Sequence, residues 1–192
     1  MPNHVTNYLL VEGDQTEINR FFEQAKGENG AFDFNSFVPM PSTVFKGDLG
    51  EKEERKYPGD RNWHGWSLNH WGTKWNAYFI EISSPLAQFD TAWSVPEPFL
   101  VEMSKKFPSL TFTNEWIEET LESAGIFVVK DGEVEERGYE TGSTWGKKES
   151  NYLHPLNLKY DRGYYLSFLE ECVEDDDDVY SYYLKLAKEV QA

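Results

Sequence analysis

Asn62-Trp-His-Gly-Trp-Ser-Leu-Asn-His-Trp-Gly-Thr-Lys-Trp-Asn-Ala-Tyr78 holds four of the chain's seven tryptophans, Trp63, Trp66, Trp71 and Trp75, with two of its four histidines and no Asp or Glu. Tryptophan is the bulkiest side chain a core can take, so a segment this dense in it must sit where elements meet. Asp60 can cap a helix over Arg61 to His70 that places Trp63, Trp66 and His70 on one side, and Gly72 follows where a left-handed C-terminal cap is needed. The stretch therefore reads as helix first and strand second. Asn76 to Ser83 supplies that strand, Ser84-Pro85 turns the chain, and Gln88 to Ser94 returns with Phe89, Thr91 and Trp93 on one face.

Working outward, His4 to Val11 is a first strand, and Asp14 opens a helix with Ile18, Phe21, Phe22 and Ala25 at helical spacing until Gly27. Phe32 to Val38 reads as a short extended piece closed by Pro39-Met40-Pro41, and Glu51 to Lys56 as a helical turn. Beyond the central hairpin, Phe99, Leu100, Met103 and Phe107 form the apolar stripe of a helix, and Leu110 to Trp116 alternates as a fourth strand. The order βα, ββ, αβ predicts an α+β ferredoxin-like split βαβ sandwich, an antiparallel sheet with helices on one face and an extra helix at about residues 61–71. Gly125 to Lys130, the turn Asp131-Gly132 and Glu133 to Tyr139 add a hairpin. The domain is expected over 1–140. An acidic helical extension, 141–192, carries Tyr164, Leu166, Phe168, Leu169 and Val173 and is expected to dock on the same domain.

With 16% aromatic and 27% charged residues the chain has the composition of a folded protein. Its longest apolar run falls far short of a membrane span, its start lacks the regions of a secretion signal, and Cys172 has no partner for a disulfide; these features predict a cytoplasmic protein. The net charge is −16, and residues 111–192 carry nineteen acids against eight bases. Such a surface repels nucleic acid and anionic lipid, since binding those requires Lys or Arg to replace counterions. Direct nucleic-acid or membrane binding is disfavoured; solubility or a basic protein partner is favoured.

His64 and His70, six apart, lie on opposite sides of a helix and do not chelate one metal. No nucleophile elbow, phosphate loop or dinucleotide fingerprint occurs, so no catalytic residue, metal or cofactor is predicted. Two readings of the tryptophan block stand side by side. In one, Trp71 and Trp75 plug the sandwich; in the other, Asn69, Trp71, Lys74, Trp75 and Asn76, with Trp93, form an aromatic platform for a ligand, joined by Asn3, His4 and Asn7 if the first strand lies beside Asn76 to Ser83. Indole burial separates them. The acidic candidates for a partner surface are Glu133, Glu135, Glu136, Glu170, Glu171, Glu174, Asp175, Asp176, Asp177 and Asp178.

The opening Met1 to Asn7, the block Trp71-Gly72-Thr73-Lys74-Trp75-Asn76, Thr91-Ala92-Trp93-Ser94 with Pro96, and the step Phe107-Pro108 resemble the YubB-type ferredoxin-like domain family over about residues 1–140. The resemblance implies that fold and a place on bacterial plasmids or phages; it implies no reaction. The expectation is therefore a non-enzymatic interaction protein binding a host or element-encoded protein through an acidic surface, possible targets including a basic nucleic-acid-binding protein. The alternatives are a small-molecule or nucleotide-binding enzyme centred on Trp63 to Asn76, and a module that self-assembles through an open sheet edge.

Overall fold

The computed structural model of the chain describes residues 3–119 and 123–141. The helices expected after Tyr164, and the acidic candidates from Glu170 to Asp178, lie outside the described residues. Strands β1 (His4–Glu12), β2 (Tyr78–Ser83), β3 (Leu86–Ala92), β4 (Thr111–Glu118), β5 (Ser123–Lys130) and β6 (Glu133–Thr141) form one sheet in the order β2-β3-β1-β4-β5-β6, each pair antiparallel. The helices are α1 (Gln15–Ala25), α2 (Glu51–Lys56), α3 (Trp63–His70) and α4 (Glu97–Ser104). Removing β5 and β6 leaves β2-β3-β1-β4 with α1 and α4 as the two crossovers, which is the ferredoxin-like sandwich.

Alternation along the strands explains the layers. Leu9 and Val11 of β1, Ala87 and Phe89 of β3, Phe112 of β4, and Phe127 and Val129 of β5 face the helices, and with Ile18, Phe21 and Phe22 of α1 and Phe99, Leu100 and Met103 of α4 they make one dry core. Its rings interlock: Phe34 stacks on Phe99 with centroids 3.9 Å apart, and Phe32 on Phe89 at 4.8 Å. Each fully buried ring contributes on the order of 2–3 kcal/mol by leaving water.

Several expectations are corrected. The cap of α3 is Asn62, whose side chain accepts the Gly65 amide at 2.9 Å; Asp60 instead holds Asn69 and His70 from outside the helix. Two capping residues two positions apart made the wrong choice available. The span from Phe32 to Val38 is not extended, because Asp33 accepts the Asn35 amide at 2.9 Å and folds Phe34–Ser36 into a 3-10 turn. Strand β3 ends at Ala92, so Trp93 does not continue its face. Finally, β1 pairs with β3 and β4, so it is not adjacent to β2. Gly72 caps α3 at φ +80° as expected, and a Cβ there would meet Pro98 Cδ at 2.4 Å, which excludes any larger residue.

Candidate functional site

Burial divides the tryptophan block. Trp66 and Trp71 are in the core, and Trp71 donates its indole N–H to the Val38 carbonyl at 2.9 Å. Trp75 is 39% exposed, and Trp93, brought alongside by the fold, 51%. Between them lies Lys74, its Nζ 4.9 Å from the Trp75 ring centroid and 4.3 Å from that of Trp93, so both indoles already face a cation.

The strip continues along β2. The Trp75 ring lies 6.2 Å from Tyr78, Tyr78 lies 5.4 Å from Phe79, and His4 lies 5.6 Å from Tyr78 and 6.3 Å from Phe79. Phe79 is 74% exposed. The ladder between β2 and β3 shifts register between Tyr78 and Glu81, and this bulge turns Phe79 away from the sheet. Although β3 separates β1 from β2, the long Tyr78 side chain reaches across it, and its hydroxyl lies 3.0 Å from His4 Nδ1.

Both outward rings sit on left-handed backbone, Phe79 at φ +49° and Trp93 at φ +71°. A bulky residue there costs on the order of 1–3 kcal/mol and persists only where surrounding contacts enforce it. At Trp93 the enforcement is visible. Its amide donates to the Asn3 carbonyl at 2.9 Å, the Thr91 hydroxyl to Ser94 O at 2.8 Å, the Ser94 hydroxyl to Gly72 O at 2.6 Å, and the Thr73 hydroxyl to Ala92 O at 2.8 Å. These bonds clamp the loop carrying Lys74 and Trp75 onto the end of β3.

Carboxylates flank the strip. His4 stands 3.9 Å from Asp90 and 3.8 Å from Glu119. Burial pushes the Asp90 carboxyl above its ordinary range, against the Thr6 hydrogen bond and the His4 charge. Burial, helped by Asp90 and Glu119, pushes the Tyr78 hydroxyl up to about 12, so Tyr78 stays a protonated donor at neutral pH. Beside Trp93 a cleft of about 440 Å³ is lined by Trp116, Glu97, Glu118 and Pro98 among others. Glu97 is bridged by Arg137 at 2.6 Å, and Glu118 accepts from Asn3 at 2.8 Å.

Asn3, His4, Lys74, Trp75 and Trp93 are thus brought together at one corner of the sheet, whereas Asn69, Trp71 and Asn76 are not. Asn69 is on the outer side of α3 with Asp60. Asn76 is bound into a turn network, donating to Asp33 at 2.7 Å and accepting the Phe34 and Ala77 amides at 2.9 Å. It borders a polar cleft of about 540 Å³ with Asn29, Asp33, Asn35 and Lys46. Burial would raise the Asp33 carboxyl, but hydrogen bonds from Asn76, Asn29 and Asn35 outweigh it and hold the pKa below the ordinary value. A carboxylate kept charged with its lone pairs engaged anchors a loop and is a poor general base. Sequence reasoning did not find Tyr78, Phe79, Asp90 or Glu119. Phe79 carried no signal, since a phenylalanine in a strand gives no sign that a bulge will turn it outward.

Residues 71–153, less than half of the chain, match the family described as "Ferredoxin-like domain in Api92-like protein". The match covers β2 to β6, while β1, outside it, lies between β3 and β4 in the sheet. No curated protein and no solved structure matches the chain. No helix among the described residues is long and apolar enough to cross a membrane.

Proposed function

We propose that the chain is a non-enzymatic interaction protein that binds a basic protein through the strip Trp93, Lys74, Trp75, Tyr78 and Phe79. The observation that carries this reading is the pair of bulky aromatics held outward on left-handed backbone. Strain of that kind, spent on rings that contribute little to the core, is typical of binding surfaces. Aromatic faces beside Asp90, Glu118 and Glu119 suit the guanidinium of arginine, which stacks on rings while its N–H groups meet carboxylates. The net charge of −16 favours the approach of a basic partner to the molecule as a whole, while the exposed Glu133, Glu135 and Glu136 lie on β6, the edge of the sheet opposite the strip. The resemblance to the YubB-type family supports a bacterial mobile element as the setting, with the cytoplasm as the compartment and a nucleic-acid-binding protein of host or element as the basic partner.

Self-assembly through a sheet edge is the weaker reading. The bulge interrupts β2, and the exposed acids charge β6, both of which blunt strand pairing.

Titrating the protein with an arginine-rich peptide while following tryptophan indole N–H resonances tests the proposal. The signals of Trp75 and Trp93 are expected to shift at low salt, those of Trp66 and Trp71 to stay, and the response to weaken at 0.5 M salt, where the Debye length is roughly 4 Å. An unmoved Trp75 and Trp93, or an equal response to an acidic peptide, overturns it.

A further inference from the structure

A lysine ammonium is strongly hydrated and rides on a flexible stem, so it ordinarily stays in water or finds a carboxylate. Lys74 does neither. It is half-buried, and among the described residues it makes no ion pair, in a chain with 34 acids against 18 bases. Its Nζ instead takes a seat against two indoles, 4.9 Å from the Trp75 centroid and 4.3 Å from that of Trp93. The first contact joins chain neighbours; the second closes across the fold. Arg20, Lys56 and Arg137, the other cations lying over rings among the described residues, each meet one ring.

The seat is built without the lysine. Ahead of Lys74, the Thr73 hydroxyl donates to the Ala92 carbonyl at 2.8 Å, and the Gly72 carbonyl accepts the Ser94 hydroxyl at 2.6 Å. Beyond Trp75, Asn76 donates to Asp33 at 2.7 Å and accepts the Phe34 amide at 2.9 Å. The Trp93 amide is held by the Asn3 carbonyl at 2.9 Å. None of these bonds uses the Lys74 side chain, so emptying the seat leaves both indole faces in place for another cation. A partly exposed cation–π contact shifts an equilibrium by roughly two- to fivefold, and ordering a lysine stem offsets part of that. Lys74 is therefore a resident that a better cation can replace. A guanidinium is such a cation, being planar and more weakly hydrated than an ammonium.

We propose that the seat against Trp75 and Trp93 is the arginine-binding site of the strip, and that Lys74 is its built-in competitor, displaced when an arginine of the basic partner enters. This rests on the reading of the strip as the partner surface, and adds the side chain it takes and the residue that controls entry. Competition of this kind leaves a signature. A tethered occupant lowers the apparent affinity of an incoming cation by the fraction of molecules whose seat is empty, so removing it tightens binding and strengthening it weakens binding.

The test titrates an arginine-rich peptide into the full-length chain and into Lys74→Met and Lys74→Arg. It follows the indole N–H signals of Trp75 and Trp93, and in the parent the Lys74 methylene protons next to Nζ. Those protons are expected upfield of the ordinary lysine position in the free parent, shifted by the indole ring currents, and to return to it at saturation. Lys74→Met is expected to bind several-fold tighter than the parent. Lys74→Arg, which keeps the charge of −16, is expected to bind several-fold weaker, because its own guanidinium fills the seat better. If Lys74→Arg binds like the parent while Lys74→Met binds tighter, the effect is one of charge alone and the proposal is overturned. A Lys74→Met variant that binds no tighter overturns it too, as do Lys74 protons that stay upfield while the peptide saturates Trp75 and Trp93. In each of these cases the strip remains the partner surface and only the seat is wrong. A peptide that moves neither indole, in the parent or in Lys74→Met, removes the strip and the seat with it.

Discussion

The same residue type has opposite fates on the two sides of this molecule. Against the helices, Phe21, Phe32, Phe34, Phe37, Phe89, Phe99, Phe107, Phe112 and Phe127 are all sealed from water; at the β2 end, Phe79, Trp75 and Trp93 stand in it. Phe21, Phe89, Phe99, Phe112 and Phe127 occupy positions that helix and strand periodicity assigns to the core, and turns carry Phe32, Phe34, Phe37 and Phe107 to it, while Phe79 and Trp93 have left-handed angles that ordinary aromatic residues avoid. Aromatic density therefore locates the centre of this fold, and backbone strain marks the surface proposed to bind.

The comparison breaks first in the core. Phe99→Ala, which removes a ring stacked on Phe34, is expected to cost about 3–5 kcal/mol in denaturant unfolding. A loss below about 1 kcal/mol would mean that the helix face is not the main source of stability.

A smaller effect asks whether the other face of the sheet is comparably dry. Glu115 has a folded-state pKa raised by burial to about 8, above the roughly 4.3 of an exposed carboxyl, so the folded chain binds more protons between those values. Its share of stability is fully present below about pH 4.5 and declines as pH rises to about 8. Glu115→Gln lacks that decline. It is expected to match the parent near pH 4.5 and to exceed it near pH 9, read from urea midpoints at the two pH values.

Next is the helix that introduces the tryptophan block. Asn62→Ala removes the acceptor for the Gly65 amide and is expected to cost about 1 kcal/mol, while Asp60→Ala, outside the cap, costs less.

The smallest effect on stability sharpens the comparison most, because its sign is reversed. Phe79→Gly relieves the left-handed strain and gives up little buried surface, so it is expected to leave the melting temperature unchanged or raise it, by up to about 1 kcal/mol of stability, while weakening partner binding. A core phenylalanine changed to glycine could only lose.

Periodicity made most of the fold legible. The stripe Ile18, Phe21, Phe22, Ala25 is buried on α1, and Asp131-Gly132 forms the β5 to β6 turn with both residues at positive φ. Local ambiguity defeated the rest: Asp60 and Asn62 were equally good caps, and the turn at Asp33 depends on Asn76, more than 40 residues later. At the candidate site the tryptophans and Lys74 stood out by composition. Phe79, Asp90 and Glu119 did not, because a bulge and a register between distant strands bring them together, and neither is written in the local sequence.

The most direct test of the central claim is affinity capture from cell lysate at low and high salt, comparing the parent chain with the double variant Phe79→Gly, Trp93→Gly, which keeps the charge of −16. The account predicts a basic protein retained by the parent at low salt, released at high salt, and absent from a variant that melts no lower. Equal retention by the variant would contradict it, reducing the interaction to the charge of the whole surface.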